Sequence, residues 1–155
     1  MRGSILEPAR SVDVIHETDV LVVGSGPGGL AAAIAAARAG VRVTLVERYG
    51  CFGGNITQVG VEGFAWYRHP QTIDSEGIGR EFEVRAKAMG AALPEPQSIS
   101  HALDAEAFKW VADTLVEEAG VHPMEDDPVV EAGLRQLLDA GDVLGGDVGK
   151  QLDQH

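Results

Sequence analysis

The chain has 155 residues, of which 45% are hydrophobic, and this is enough for one globular domain with a single core. Its 24 acidic residues against 12 basic ones give a formal net charge of −12, which disfavours nucleic acid and anionic membranes as partners. A single cysteine excludes an intrachain disulfide and indicates a cytoplasmic protein, and no apolar run reaches the roughly 20 residues that cross a bilayer.

After an N-terminal extension over residues 1–16, the chain carries the pattern of a strand, a helix and a second strand. Residues 19–23, DVLVV, are almost wholly apolar and β-branched, which is typical of a strand buried on both faces of a parallel sheet. The alanine-rich residues 30–39 predict a helix, and Gly40 after them is a typical left-handed cap. Residues 41–47, VRVTLVE, predict the second strand, and the short connections favour a right-handed unit with parallel strands.

Beyond residue 47 the pattern is weaker. Residues 48–74 indicate a long structured loop, residues 75–89 a helix, and residues 93–98, with two prolines, a rigid connector. Asp104 is placed to cap a helix that runs to Ala119, with Gly120 as its stop. A proline and three acidic residues within residues 121–127 argue against a central strand there. Residues 124–155 are an acidic tail, in which residues 128–140 predict an amphipathic helix and the remainder is expected to be disordered.

The turn after the first strand, GSGPGG at residues 24–29, holds four glycines and one proline. If it binds a pyrophosphate, Gly24 makes the sharp exit from the strand, Gly26 lets the backbone approach the phosphates, and Gly29 lets the helix pack against the strand. The helix N-terminus then faces the anion with free N–H groups and the positive end of its dipole. The alternative is a tight strand-to-helix turn without a ligand. The residues assigned to the phosphate site are Gly24, Ser25, Gly26, Pro27, Gly28 and Gly29, with the Ser25 hydroxyl as a phosphate donor.

Glu47 lies at the end of the second predicted strand, 23 residues after Gly24. At this distance from the turn, a carboxylate accepts hydrogen bonds from a ribose, and it repels the 2′-phosphate of NADP. The alternative for Glu47 is a solvated strand end. Taken together, these features predict an α/β fold, a Rossmann-like domain with a parallel sheet that binds FAD or NAD.

Residues 47–57, ERYGCFGGNIT, follow the run VVGSGPGGLAAAIAAARAGVRVTLV, and together they resemble the family of FAD-dependent oxidoreductases. This is the group of flavoproteins with two dinucleotide-binding domains that includes relatives of fumarate reductase and succinate dehydrogenase. The resemblance implies FAD as the cofactor, with its pyrophosphate on Gly24, Gly26 and Gly29 and the adenosine ribose on Glu47. It also implies that Arg48 flanks the adenine.

A second pair of glycines belongs to the same resemblance, which implies that Gly53, Gly54 and Asn55 close a loop over the phosphates. In covalent relatives a histidine soon after this pair carries the flavin. Here residues 56–58 are Ile, Thr and Gln, so the resemblance implies FAD that is bound non-covalently.

The resemblance covers about residues 17–122, the N-terminal part of the family, and predicts a partial FAD-binding domain over residues 17–123. The tail does not resemble the family, and we expect it to be dispensable for contact with the cofactor. Family members run to several hundred residues, so the sheet is expected to have edges that another chain can pair with. Two alternatives stay open: a non-catalytic fragment that binds nucleotides or another protein, and an NAD-binding module. The small-molecule substrate and the catalytic residues are not assigned.

Other reactive side chains give weaker signals. Cys51 has no second cysteine to pair with, which favours a buried small hydrophobic residue over a redox role. The five histidines do not have metal-site spacing, so no metal is expected. His69 could act as an acid or base, but a solvated loop histidine is favoured. Trp66 and Tyr67 line a pocket or, more commonly for such residues, anchor a loop to the core.

Overall fold

In the computed structural model of the protein, residues 11, 14–64, 68–69, 72–73, 76–96 and 100–125 are described. Thr18–Asp126 form one compact unit. Met1–Glu17 and Asp127–His155 are grouped as a second unit, nearly all of which lies outside the described residues. The helix predicted over residues 128–140 and the predicted disordered end also lie outside them.

The described residues form eight strands and four helices. In chain order these are β1 Val20–Val23, α1 Pro27–Arg38, β2 Val43–Glu47, α2 Asn55–Gln58, β3 Gly63–Phe64, β4 Arg68–His69, β5 Thr72–Ile73, α3 Ile78–Ala88, β6 Ala92–Pro94, β7 His101–Leu103, α4 Ala105–Ala119 and β8 His122–Glu125.

A parallel sheet with the order β1-β2-β8 forms the centre of the unit and confirms the predicted α/β fold. The whole of β2 is buried, as its apolar sequence predicts. β1 is different, because Leu21 and Val23 are 56% and 55% exposed while Val20 and Val22 are half-buried. The prediction that β1 is buried on both faces is therefore wrong within the described residues, which cover one face only.

The segment after Gly120 forms a strand. β8 pairs in parallel with β2, and Glu125 lies opposite Glu47 in the register. Pro123 is compatible with this position because β8 lies at the end of the described sheet order, where a residue facing away from its neighbour donates no ladder bond. The proline and the acidic residues of this segment argue only against a central strand, and they are compatible with a strand at the end of the described sheet. As a result, the predicted domain end at residue 123 falls inside β8.

The predicted ends of α4 and the predicted C-terminal end of α1 agree with the structure, whereas α1 begins at Pro27, before the predicted start at residue 30. Gly40, just after α1, has φ +90°. The Asp104 side chain accepts a hydrogen bond from the backbone N–H of Ala107 at 3.0 Å, and Gly120 ends α4 in the left-handed conformation with φ +73°. α3 lies inside the helix predicted over residues 75–89.

Two predictions for the middle of the chain need correction. The stretch over residues 48–74, predicted to be a loop, contains the short elements α2, β3, β4 and β5. The predicted connector at residues 93–98 begins inside β6, which pairs antiparallel with β7, and β7 pairs in turn with β3. Only the pairing of β3 with β7 joins residues that are distant in sequence, whereas β4 and β5, and likewise β6 and β7, are neighbouring strands in the chain. These strands are only two or three residues long, so their sequences carry little periodic pattern.

The core lies where α1 and α4 pack on each other and on the parallel sheet. Leu30 of α1, Leu45 of β2 and Leu115 of α4 have no exposed surface. Phe82 of α3 packs edge-on against Phe108 of α4, with 6.0 Å between the ring centroids. Each of these buried side chains contributes roughly 1.5–3 kcal/mol to stability. This packing fixes the N-terminus of α1 beside the ends of β1 and β2.

Candidate cofactor site

The first glycine turn leaves β1 sharply and enters α1. Gly24 has φ +90°, and its N–H donates to the carbonyl oxygen of Val46 at 2.8 Å. A Cβ atom on Gly29 would lie 1.9 Å from the carbonyl oxygen of Gly24, so only glycine fits at position 29. Gly24 thus makes the turn, and Gly29 allows the close approach of α1 to it. That these glycines bind a pyrophosphate stays a prediction.

The backbone at the N-terminus of α1 is bare. Apart from the adjoining residues and the backbone of α1 itself, a Cβ atom on Gly26 or Gly28 would have no described atom within 4 Å. α1 has neither a side-chain cap nor an acidic residue in its first turn. Its first N–H groups therefore have no acceptor within the helix, and Pro27 at the first helical position needs none. A pyrophosphate fits such a site, because glycines leave room for it and the N–H groups and the helix dipole attract it.

The second pair of glycines lies against the first turn. The N–H of Gly53 donates to the carbonyl oxygen of Ser25 at 3.0 Å. Gly54 has φ +56°, and a Cβ atom there would lie 2.6 Å from the Cα of Gly26. Asn55 begins α2 and is exposed. Gly53 and Gly54 thus form one surface with the first glycine turn, whose residues lie 24 or more positions earlier in the sequence.

Glu47 is buried, with 6% of its surface exposed. Its Oε2 accepts hydrogen bonds from the N–H and the hydroxyl of Ser25, at 2.8 and 2.5 Å. Its Oε1 accepts from the N–H groups of Arg48 and Tyr49, at 2.8 and 3.1 Å. Burial raises the pKa of the Glu47 carboxyl, but the hydrogen bonds from Ser25, Tyr49 and Arg48 outweigh it and hold this pKa below its ordinary value. The alternative of a solvated strand end is therefore wrong.

Ser25 is placed differently from its predicted role as a phosphate donor. Ser25 is fully buried, and its single O–H is donated to Glu47, so a phosphate in this geometry needs another donor. The guanidinium of Arg48 lies 4.5 Å from the ring centroid of Tyr49 and donates to the Tyr49 hydroxyl. Contact between Arg48 and an adenine stays a prediction.

Two further carboxylates were missed by the sequence analysis, Glu125 beside Glu47 and Asp113 near Glu125. Burial, together with the charges of Asp113 and Glu47, raises the pKa of Glu125, and burial raises that of Asp113. Both line a cavity of about 360 Å³, together with apolar side chains that include Phe52 and Val116. The sequence analysis assigned Glu125 to an acidic tail. Only the pairing of β2 with β8 brings it beside Glu47, and local sequence does not show this pairing.

The remaining candidates lie away from this arrangement or outside the described residues. Cys51 is half-buried rather than part of the core, and its Sγ accepts a hydrogen bond from the Gln58 amide at 2.5 Å. Trp66, Tyr67 and the side chain of His69 are outside the described part. Within that part, no group of three or more His, Cys, Asp and Glu side chains is arranged to hold a metal ion. Nor does any of its helices have the length and apolar character needed to cross a membrane.

A parallel sheet, a glycine turn at a helix N-terminus and a carboxylate at the end of the second strand define a dinucleotide-binding domain. A model of the FAD dependent oxidoreductase family matches residues 19–143. The chain belongs to this family, whose cofactor is FAD, and the resemblance stated from the sequence is confirmed. The match continues well past residue 122, so the prediction that the tail is unlike the family from its start is wrong.

Curated relatives agree with this family. The soluble pyridine nucleotide transhydrogenase of Chromohalobacter salexigens is 47% identical over 103 residues, which cover 66% of this chain and 21% of that protein. The digoxin reductase of Eggerthella lenta is 34% identical over 125 residues, 77% of this chain and 22% of that protein. The chain spans about a fifth of the length of these two relatives. Among solved structures, THI4 of Thermovibrio ammonificans aligns with a TM-score of 0.48 and 24% identity, over 70% of this chain and 38% of that one.

Proposed function

We propose that this chain binds the ADP half of FAD without a covalent bond and forms the N-terminal part of a FAD-dependent oxidoreductase. The observation that carries the proposal is the open space beside Gly26 and Gly28 at the N-terminus of α1, in a turn where Gly29 lies against Gly24 and Gly54 lies against Gly26. In this proposal Gly24, Gly26 and Gly29 shape the turn, and the N–H groups of Gly28 and Gly29 bind the pyrophosphate.

The adenosine end is proposed to lie at the end of β2. Glu47 accepts a ribose hydroxyl, Arg48 flanks the adenine, and Gly53, Gly54 and Asn55 close over the phosphates. Glu47 is ionised at neutral pH because its pKa is lowered, so it opposes the 2′-phosphate of NADP. When bound, the flavin supplies the capacity to take up two electrons from a reduced substrate.

The redox class is supported by the names of the relatives, a transhydrogenase and a reductase. The substrate is proposed to be a small molecule. The single cysteine supports a reducing, cytoplasmic compartment, which cell fractionation would test. The acidic charge supports the expectation of no nucleic-acid or membrane partner.

The visible spectrum of the purified chain separates the candidate functions. We expect absorption bands at about 370 and 450 nm, which belong to oxidised flavin. A colourless protein that binds ADP would favour the non-catalytic nucleotide-binding fragment. Tighter binding of NADH than of FAD would favour the NAD-binding module. A chain that binds none of these ligands would contradict every candidate except a fragment that binds another protein.

We also propose that another chain covers the open side of β1. Within the described residues β1 pairs only with β2, and its exposed face presents Leu21 and Val23. An unpaired strand edge with an exposed apolar face beside it favours pairing with a further strand. Light scattering at increasing protein concentration tests association with a second copy. Leu21→Lys should reduce association through this face, and a chain that stays monomeric at all concentrations would contradict self-association.

A further inference from the structure

Ser25 is completely buried although it lies in the phosphate turn between two glycines. All its polar groups are used within the protein. Its N–H and O–H both donate to Oε2 of Glu47, and its carbonyl oxygen accepts the N–H of Gly53. The requirements of a glycine turn do not call for a hydroxyl at this position, so the side chain needs another explanation.

The two oxygens of the Glu47 carboxylate are held differently. The donors to Oε1 are the N–H groups of Arg48 and Tyr49, the next two residues in the chain. Both donors to Oε2 come from Ser25, across the gap between β1 and β2. The orientation of the carboxylate relative to the glycine turn therefore depends on Ser25.

The burial of Glu47 makes this support important. Burial opposes ionisation of the Glu47 carboxyl and so acts to raise its pKa. The Ser25 hydroxyl is a charge-assisted donor, and its hydrogen bond is the largest of the contacts that lower this pKa. Glu125 of β8 lies opposite Glu47 in the register, and the Glu47 charge contributes to the raised pKa of Glu125.

We propose that Ser25 is a positioning residue, whose hydroxyl fixes the Glu47 carboxylate in the orientation that accepts a ribose hydroxyl. The inference rests on the proposed function, since the ribose is that of bound FAD. Ser25→Ala removes the O–H bond only, because the N–H and carbonyl bonds of residue 25 remain. The pyrophosphate part of the site should therefore be unaffected.

Calorimetric titration with ADP and with inorganic pyrophosphate tests this separation. Ser25→Ala should weaken ADP binding by about tenfold, the loss expected for one hydrogen bond to a charged group. Pyrophosphate affinity should stay within about twofold, because this probe has no ribose. Equal loss for both probes would show that Ser25 merely shapes the turn and would overturn the inference, as would no loss for ADP.

The titration of Glu47, followed by carbon-13 NMR of its carboxyl, is a readout that does not require a ligand. Ser25→Ala should move the pKa of Glu47 upward, and the pH below which ADP binding is lost should rise with it. Thr57→Val is the matched control, because it removes a hydroxyl that donates to the Phe52 carbonyl oxygen without contact to Glu47. It should leave the Glu47 titration unchanged.

The two proposals fail separately. If the unmodified chain binds no ADP, the proposed function is overturned and the Glu47 titration alone decides the role of Ser25. If the Glu47 titrations of the unmodified chain and of Ser25→Ala coincide, the positioning role is overturned whether or not ADP binds.

Discussion

Two glycines in the same turn have opposite structural requirements. Gly26 has φ −58°, and a Cβ atom there meets no described atom, whereas a Cβ atom on Gly29 would overlap the carbonyl oxygen of Gly24. The first glycine leaves space for a ligand, and the second makes the fold possible. The requirement for glycine at position 29 comes from the fold itself. The requirement at position 26 arises only when a ligand is bound.

We expect Gly26→Ala to weaken ADP binding by several kcal/mol, because the added methyl occupies the space of the pyrophosphate. Its free energy of unfolding should stay within about 1 kcal/mol of the original, since the backbone conformation suits alanine. Gly29→Ala should instead destabilise the fold by about 1–3 kcal/mol or more, as overpacking does. Urea denaturation and ADP titration of both variants measure this. Unchanged ADP binding in Gly26→Ala would mean that the turn holds no phosphate.

The lowered pKa of Glu47 predicts a pH dependence of stability. A carboxyl whose pKa is depressed by folding stabilises the protein above its unfolded pKa, and this contribution is lost as the pH falls through the folded pKa. Glu47→Gln should lower the free energy of unfolding by about 1–3 kcal/mol at neutral pH. The amide nitrogen of the glutamine would face N–H donors, from which it cannot accept a hydrogen bond. The difference between the two proteins should shrink in acid. A constant difference from pH 7 to acidic pH would contradict the assigned hydrogen bonds.

At the level of elements, the β2–β8 pair brings two carboxylates side by side, Glu47 and Glu125. The pKa of Glu125 is raised, so its ionisation opposes folding. A group with a raised folded pKa contributes stability below its unfolded pKa and loses it as the pH rises through the folded pKa. β8, whose proline argued against a strand, therefore carries an unfavourable like-charge contact with β2.

Glu125→Gln should raise the free energy of unfolding at neutral pH, by on the order of 1 kcal/mol, because it removes this like-charge contact. Thermal denaturation as a function of pH measures the effect, and the advantage of the variant should disappear in acid. Glu118→Gln is a suitable comparison on α4, because Glu118 pairs with Arg85 and its loss removes an attractive contact. A gain in stability for Glu118→Gln as well would point to general charge reduction rather than to the β2–β8 contact.

For the whole molecule, the net charge of −12 opposes an anionic ligand. Binding must then rely on short-range contacts with backbone N–H groups, which salt screens less than it screens distant charges. We expect ADP affinity to rise by about twofold between 0.01 and 0.15 M salt, as the Debye length falls from roughly 30 to 8 Å. Affinity that falls steeply with salt would indicate lysine or arginine contacts to the phosphates instead.

Much of the first half of the fold could be predicted from the sequence. The strand, the glycine turn, the helix and the second strand are contiguous, and each is set by local spacing and backbone conformation. The same holds for α4, because its cap residue Asp104 and its stop Gly120 adjoin it. The resemblance to the family was identified from these strand, turn and helix residues as well, because its motif is contiguous in sequence.

The tertiary structure decided what depends on residues distant in the chain. Ser25 and Glu47 are 22 residues apart, and only the pairing of β1 with β2 makes the serine hydroxyl a donor to the carboxylate rather than to a phosphate. The contact of Gly54 with Gly26 and the position of Glu125 beside Glu47 have the same origin. Local sequence specifies backbone conformation and periodicity. Burial, hydrogen-bond partners and neighbouring charges arise only when the strands are side by side.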